Sequence, residues 1–436
     1  MKTKRENFPD INLNLNVRGL MPSATLAINE LSSQLRQQGK RIYKLGLGQS
    51  PFPVPRPVVE ELKVNAFQKD YLAVNGLEQL RVAVAEWHYK RQGLDFRAED
   101  ILIGPGSKEL MFVLQLVYYG DLVIPTPSWV SYAPQAHIIG RHVRWLATHS
   151  DNDWLLMPEE LEKLCSNDRE RPRLVILNYP SNPTGRTYTM NELKALAKVA
   201  RQYRVILLSD EIYGELHHKG KHISIARYYP EGTIVSNGLS KWCGAGGWRL
   251  GAFAFPKSLG WLCNSMAVVA SETYTSTSAP IQYAAVRAFK GGTEIEHYLA
   301  KCRRILSALG NYAFTSLRDA GVRVAAPQGG FYLFPDFTPY KDKLNERGIL
   351  TSEDFCKALL EKTGVAILPG YHFGRPKEEL TARIAYVDFD GARALEAAEQ
   401  YPPPKPLDIS FLETYANNTI TAIDLMVSWI HEYFAG

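Results

Sequence analysis

Three observations predict an α/β protein. Short apolar runs alternate with amphipathic stretches across roughly residues 55 to 290. Each run is closed by Gly, Pro, Asn, Asp or Ser. The runs are apolar throughout and do not alternate with polar residues, as expected of strands covered on both faces. Such strands separated by helices imply a mostly parallel sheet between two helical layers.

Taken in order, the amino terminus MKTKRENFPDINLNLNVRGLMP begins basic but lacks the apolar centre of a signal peptide. A helical stretch follows at 24–38, and pattern alone assigns it to neither part of the molecule. Strands are expected at 101–103, 122–124, 174–177, 205–208, 233–235 and 250–255. Helices at 77–90, 108–118 and 190–202 carry apolar residues at three- and four-residue spacing. The texture changes near Glu294. A long helix to 317 precedes GVRVAAPQGGFYLFPDF, which reads as two strands joined around Gly329 and Gly330. A helix at 352–362, strands at 365–368 and 382–386 and a closing helix at 422–434 make an α+β segment. The prolines of 400–408 predict a stiff surface excursion. The expected division is an N-terminal arm with part of a small domain at 1–54, a large α/β domain at 55–293 and a small α+β domain at 294–436.

Composition excludes several functions. With 50 basic and 45 acidic residues spread along the chain, the formal charge of +5 is too balanced for a nucleic-acid or anionic-membrane footprint. No stretch approaches the length of a membrane span. The five cysteines are widely spaced and form no C-x-x-C pair, so reduced thiols in a cytoplasmic protein and no metal site are expected.

In an open α/β sheet, ligands bind beyond the carboxyl ends of the strands. After 101–103, GPGSKE sets Gly106 and Ser107 at the start of a helix, where free N–H groups suit a phosphate, although a serine there is also an ordinary cap. After 174–177, NYPSNPTG stiffens the backbone on both sides of Asn182. After 205–208, Asp210 ends an apolar run; a carboxylate buried there needs a cation or several donors, with Tyr213 three residues on. After 233–235, SNGLSKWCGAGGWRLG places Lys241 among small residues and Arg249 eight positions later. A lysine nucleophile needs a neutral amine, hence burial or neighbouring cations, and Arg249 suits a phosphate.

Together these motifs resemble, from about Met21 to Asp390, the class I/II (fold-type I) aminotransferases that use pyridoxal 5'-phosphate (PLP), of the aspartate and aromatic aminotransferase kind. The ordered markers are PSATLAINELSSQLRQQGK, LGLGQSPFPVP, Tyr71 before NGLEQLR, GPGSKE, PSWVSY, NYPSNPTG, SDEIY, SKWCGAGGWRLG, PQGGFYLFPDF, LPGYHFG and RIAYVDFD. The resemblance implies a fold-type I transferase with a large, mostly parallel, seven-stranded-type sheet domain. It implies that Lys241 joins the cofactor as a Schiff base and moves the proton, and that Asp210 meets the ring nitrogen. Asn182 and Tyr213 would face the phenolic oxygen and Trp129 would stack on the ring. Ser107, Lys108 through its backbone, and Arg249 would hold the phosphate, with Tyr71 reaching it from the neighbouring subunit. Arg383 would bind the substrate α-carboxylate beside Gly48.

The implied activity is ping-pong transfer of an amino group from an L-amino acid to a 2-oxo acid by a homodimer with shared active sites. Lys44, Lys108, His217 and the many tyrosines leave both aspartate and aromatic substrates open, alanine is a further candidate, and one enzyme could accept several. The alternatives are a PLP lyase or aminocyclopropane-carboxylate synthase-like elimination enzyme, and a non-catalytic regulator retaining the fold. One departure stands out. Gly238 occupies a position where relatives carry a phosphate-binding hydroxyl, which leaves Ser236 or Ser240 as substitutes. Cys243 has no assigned role.

Overall fold

In the computed structural model, which describes residues 12–18, 20 and 24–434, helix α1 (Ala24–Gln37) and strand β1 (Tyr43–Lys44) precede helices α2 (Arg56–Asn65) and α3 (Glu78–Gln92). Strand and helix then alternate through β2 (Ile101–Gly104), α4 (Ser107–Val117), β3 (Asp121–Thr126), α5 (Tyr132–Ile138), β4 (Val143–Ala147), α6 (Pro158–Ser166), β5 (Arg173–Asn178), α7 (Met190–Gln202) and β6 (Ile206–Asp210). Strands β7 (Thr233–Gly238) and β8 (Gly251–Ala254) complete the sheet, and helices α8 (Gly260–Glu272) and α9 (Ala279–Lys290) follow. The leader at 1–11 lies outside the described residues.

The seven strands lie in the order β2-β8-β7-β6-β5-β3-β4. Only β8 runs against its neighbours, β2 and β7. Side chains alternate cleanly between the two faces, as the pleat requires. Leu174 and Ile176 of β5 join Leu110 and Met111 of α4 and Met266 of α8 on one face. Val175 and Leu177 join Leu161 of α6 and Leu193 and Leu196 of α7 on the other. Each fully buried leucine contributes about 1.5–3 kcal/mol of transfer free energy, which is why this sheet reads as apolar runs. Helix α7 starts where Thr189 accepts from the Glu192 N–H and Glu192 reaches back to the Thr189 N–H, a reciprocal cap.

The remaining chain comprises α10 (Thr293–Asp319), β9 (Tyr332–Leu333), α11 (Lys341–Asn345), α12 (Ser352–Thr363), β10 (Val365–Ala366), β11 (Leu368–Pro369), β12 (Ala382–Ala385), α13 (Gly391–Ala398), α14 (Ile409–Tyr415) and α15 (Asn417–Phe434). A three-stranded sheet runs β11-β12-β9, and β1 pairs in parallel with β10. Leu31 and Leu35 of α1 pack with Leu360 of α12 and Ala366 of β10, so α1 docks on this part.

Three expectations need correction. The stretch 322–337 yields one short strand instead of two, because Arg323 pairs with Asp336 only as an isolated bridge before Pro327 ends the run. The expected strand at 365–368 divides: β10 pairs with β1 and β11 with β12, so the chain changes sheets at Ile367. Strand β4 was not anticipated because it is an edge strand whose exposed Arg144 and Trp145 break the apolar run. Among the described residues no helix is long and apolar enough to cross a membrane.

Candidate active site

A cavity of about 360 Å³ opens at the carboxyl end of the large sheet, lined by residues that follow five of its strands. Ser107 and Lys108 come after β2, Trp129 and Tyr132 after β3, and Asn182 after β5. Asp210 and Tyr213 come from β6 and its loop, Ser240 and Lys241 from the loop after β7, and Arg249 stands just before β8. Parallel strands send these loops to one end of the sheet, so positions far apart in sequence converge.

Asp210 is the last residue of β6 and 3% exposed. Its Oδ2 accepts a 2.6 Å hydrogen bond from the Tyr132 hydroxyl, and its Oδ1 accepts from Ser236 Oγ at 3.3 Å. Burial pushes its carboxyl up to about 6, against the downward pull of Tyr132, the Ile212 N–H and Ser236. Among the described residues it forms no ion pair. Glu211 turns to the opposite face, as alternation demands, and is held by Ser209, Ser224 and His222.

Lys241 donates from Nζ to the Gly48 carbonyl at 2.7 Å and stands 5.7 Å from the centre of the Tyr213 ring. Burial, reinforced by the charge of Arg383, lowers its ammonium to about 8, and Asp210 opposes the shift. The amine is therefore far easier to deprotonate than a surface lysine.

The end near α4 is built for an anion. Gly106 precedes the helix at φ +92°, where a Cβ would lie 2.1 Å from the Arg249 guanidinium. No side chain caps this helix, and the N–H groups of Ser107 and Lys108 meet no acceptor among the described residues. Ser107 is thus the first helical residue and not its cap. A Cβ at Gly251 would lie 2.2 Å from the Ser107 nitrogen, so this glycine lets β8 approach the cradle. Lys108 Nζ sits 5.3 Å from the centre of the Trp129 ring, its ammonium lowered by burial and by Arg249.

Arg383 lies on β12 at 4% exposure, between the rings of Tyr332 and Phe373. It donates to Asn182 Oδ1 at 3.2 Å and to the Gly46 carbonyl at 2.5 Å. Its buried Nε has no partner, a donor left for a ligand. Tyr332 bonds the Tyr213 hydroxyl at 2.8 Å, and a Cβ at Gly48 would lie 2.1 Å from the Tyr332 oxygen.

Of the residues singled out in the sequence, Ser107, Lys108, Trp129, Asn182, Asp210, Tyr213, Ser240, Lys241 and Arg249 line the one cavity. Gly48 and Arg383 adjoin it through Lys241 and Asn182. Tyr71 does not line it; it is 89% exposed on the surface. Lys44 and His217 are likewise not among its lining residues, and neither is Cys243, whose thiol is buried and pushed up. Ser236 turns to Asp210 and not to the α4 end, so of the two substitutes it is Ser240 that lines the cavity. Gly238 has a steric reason: a Cβ there would meet the Leu250 carbonyl at 2.8 Å. Tyr132 and Tyr332 were missed; Tyr132 was visible only as part of PSWVSY and Tyr332 only as part of PQGGFYLFPDF.

The chain is similar to known proteins along most of its length. The model of the family "Aminotransferase class I and II" matches residues 40–397. The aspartate aminotransferase of Geobacillus stearothermophilus is 34% identical, the alignment covering 88% of this chain and 95% of that protein. A solved Thermus thermophilus aspartate aminotransferase with maleate superposes with a TM-score of 0.81 at 26% identity, covering 96% of this chain and 100% of its own. A Pyrococcus horikoshii aromatic aminotransferase gives a TM-score of 0.75 at 27% identity over 92% of this chain and 99% of its own.

Proposed function

The chain belongs to the class I and II aminotransferases, enzymes that work with pyridoxal 5'-phosphate, and from that premise we propose that the cavity after β2, β3, β5, β6 and β7 is where the cofactor binds and the amino group is exchanged. The donor set fits this cofactor at each end. A buried carboxylate with no ion-pair partner among the described residues, Asp210, suits a protonated ring nitrogen. Free N–H groups at α4 with Arg249 suit a phosphate. A lysine lowered to about 8 suits the aldehyde carbon.

Bound pyridoxal phosphate supplies an aldehyde that condenses with amines and a ring that accepts the electron pair left when an amino acid loses its α-proton. Lys241 would be the point of attachment for the aldehyde, and its amine, lowered to about 8, would be the group that carries the substrate α-proton. Asp210 would keep the ring nitrogen protonated. Asn182, whose Oδ1 is taken by Arg383, has its amide N–H groups left for the phenolic oxygen, beside the Tyr213 hydroxyl. Trp129 would stack on the ring, and Ser107, the Lys108 N–H, Ser240 and Arg249 would hold the phosphate. Arg383 receives the substrate α-carboxylate on its unpaired Nε edge near Gly48.

The substrate reading is a dicarboxylic amino acid such as aspartate, exchanged with a 2-oxo acid. One observation carries it: the Lys108 ammonium lines the cavity beside Trp129 with no carboxylate partner among the described residues. The maleate in the Thermus structure, a dicarboxylate, points the same way. A single-turnover panel of amino donors, read by cofactor absorbance, tests it. Aspartate is expected to react fastest, and Lys108→Met to lower its kcat/KM about 10–100-fold while sparing alanine. Equal losses for both donors would remove Lys108 from this role.

The working unit is read as a homodimer in the cytoplasm. Tyr71, with exposed Val64 and Phe67 before it, then reaches the partner's phosphate. Residues 55–293 are read as the body that carries the cofactor, and the described residues of 24–54 with 294–434 as the part that brings Arg383.

A further inference from the structure

Tyr132 is 2% exposed at the first turn of α5, and its environment serves the cavity more than the core. Its hydroxyl donates to Asp210 Oδ2 at 2.6 Å, the shortest hydrogen bond the carboxylate receives. Its ring stands edge-on to Trp129, 5.3 Å between centres, and its N–H donates to the Trp129 carbonyl at 3.2 Å. One side chain thus touches both the carboxylate below the ring site and the indole beside it.

We propose that Tyr132 is a positioning residue for amino-group transfer, holding the Asp210 carboxylate ionised and aimed into the cavity. The proposal rests on the reading of Asp210 as the ring-nitrogen partner. Short hydrogen bonds to an ionised acceptor are the strong ones, and here the acceptor is otherwise held only by the longer bonds from Ser236 and the Ile212 N–H. Burial works against the charge on Asp210, so the donor that opposes burial most decides how much of it is ionised. The titratable groups facing Asp210 are Tyr132 from α5, Tyr213 from the following loop and Lys241 from the loop after β7; Glu211 is adjacent on β6. Arg383, Arg249 and Lys108 act at one remove, through Lys241. Among them Tyr132 is the one that donates a hydrogen bond to the carboxylate.

The test is Tyr132→Phe in the PLP-loaded protein, which keeps the ring against Trp129 and removes one hydroxyl. A weaker charge on Asp210 leaves the ring nitrogen less protonated. The pH midpoint of the yellow lysine-linked chromophore should therefore rise by about half a unit or more. The PLP dissociation constant should increase several-fold, and kcat should fall roughly tenfold with KM nearly unchanged. In Asp210→Asn the same hydroxyl deletion should no longer move the midpoint, since the pair is then already uncoupled.

A midpoint and PLP affinity unchanged in Tyr132→Phe, with Asp210→Asn shifting both, would reduce Tyr132 to a packing residue and leave the reading of Asp210 standing. If Asp210→Asn itself shifts neither, that reading falls and the proposal with it. If the phenylalanine protein does not fold, a ring-fluorinated tyrosine placed at 132 is a stronger donor of nearly the same shape. It should move the midpoint down, and no movement would overturn the proposal.

Discussion

Lys241 and Asp210 occupy one cavity with opposite electrostatic needs, and each is costly in the cofactor-free chain. The folded pKa of Asp210 is raised from 3.8 to about 6 by burial, so the native state binds more protons than the unfolded chain between those values. Its contribution is fully present below about pH 4 and lost as pH rises through 6, about 3 kcal/mol in all. Cofactor-free Asp210→Asn is therefore expected to be more stable than the parent above pH 6 and no more stable below pH 4, as urea melts across that range will show. Lys241 has the reverse sign. Its pKa is depressed from 10.5 to about 8, so stability is gained as pH climbs between them. Removing the amine altogether, in Lys241→Ala, should lower kcat by roughly 10²–10⁴-fold, the range a positioned general base contributes. Wild-type transfer rates in that variant would refute the assignment.

Helix α4 and the glycines around it form the next level, since its first turn is useful only if backbone can approach. Gly251→Ala would drive a methyl to 2.2 Å from the Ser107 nitrogen, and Gly106→Ala a methyl to 2.1 Å from Arg249. Both variants are expected to weaken PLP binding at least tenfold in equilibrium titrations while Arg383 and the substrate end stay intact. The sheet that carries this helix was legible because strands such as β5 and β6 are buried on both faces and leave no polar alternation to misread. Strand β4 was not, because edge position admits Arg144 and Trp145. The cavity was legible wherever a residue type was unusual for its place, as with a lysine among glycines or an aspartate ending an apolar strand. Tyr132 was not, since a tyrosine opening a helix after a turn is ordinary until its hydroxyl is seen on Asp210. Gly238 drew notice as a departure, but its reason needed the Leu250 carbonyl of the neighbouring chain segment.

Across the molecule, the two parts are tied by Arg375. Its Nη1 donates to the Thr126 and Thr148 carbonyls at the end of the large sheet, at 3.2 and 3.1 Å. Its Nε and Nη2 bond Glu379 at 2.8 Å each, and its guanidinium lies 4.8 Å from the centre of the Trp154 ring. Arg375→Met takes a donor from the Thr148 carbonyl and the cation from Glu379, while the Thr126 carbonyl keeps its bonds from the Thr148 N–H and hydroxyl. A loss of about 3 kcal/mol is expected in denaturant melts, together with a raised KM as Arg383 is held less firmly against Asn182. The proposed dimer makes a separate prediction. Lys241→Ala and Tyr71→Ala proteins should each be nearly inactive, and mixing them under subunit exchange should restore about a quarter of full activity through hybrids with one intact site. Recovery no greater than the sum of the two would place Tyr71 outside the partner's site.

The central claim is that the amine at position 241 joins the cofactor inside this cavity. Borohydride reduction of the PLP-loaded protein, followed by proteolysis and peptide mass mapping, reads it directly. The pyridoxyl mass is predicted on the peptide containing Lys241 and on no other; the mass on a different lysine, or on none, would contradict the account.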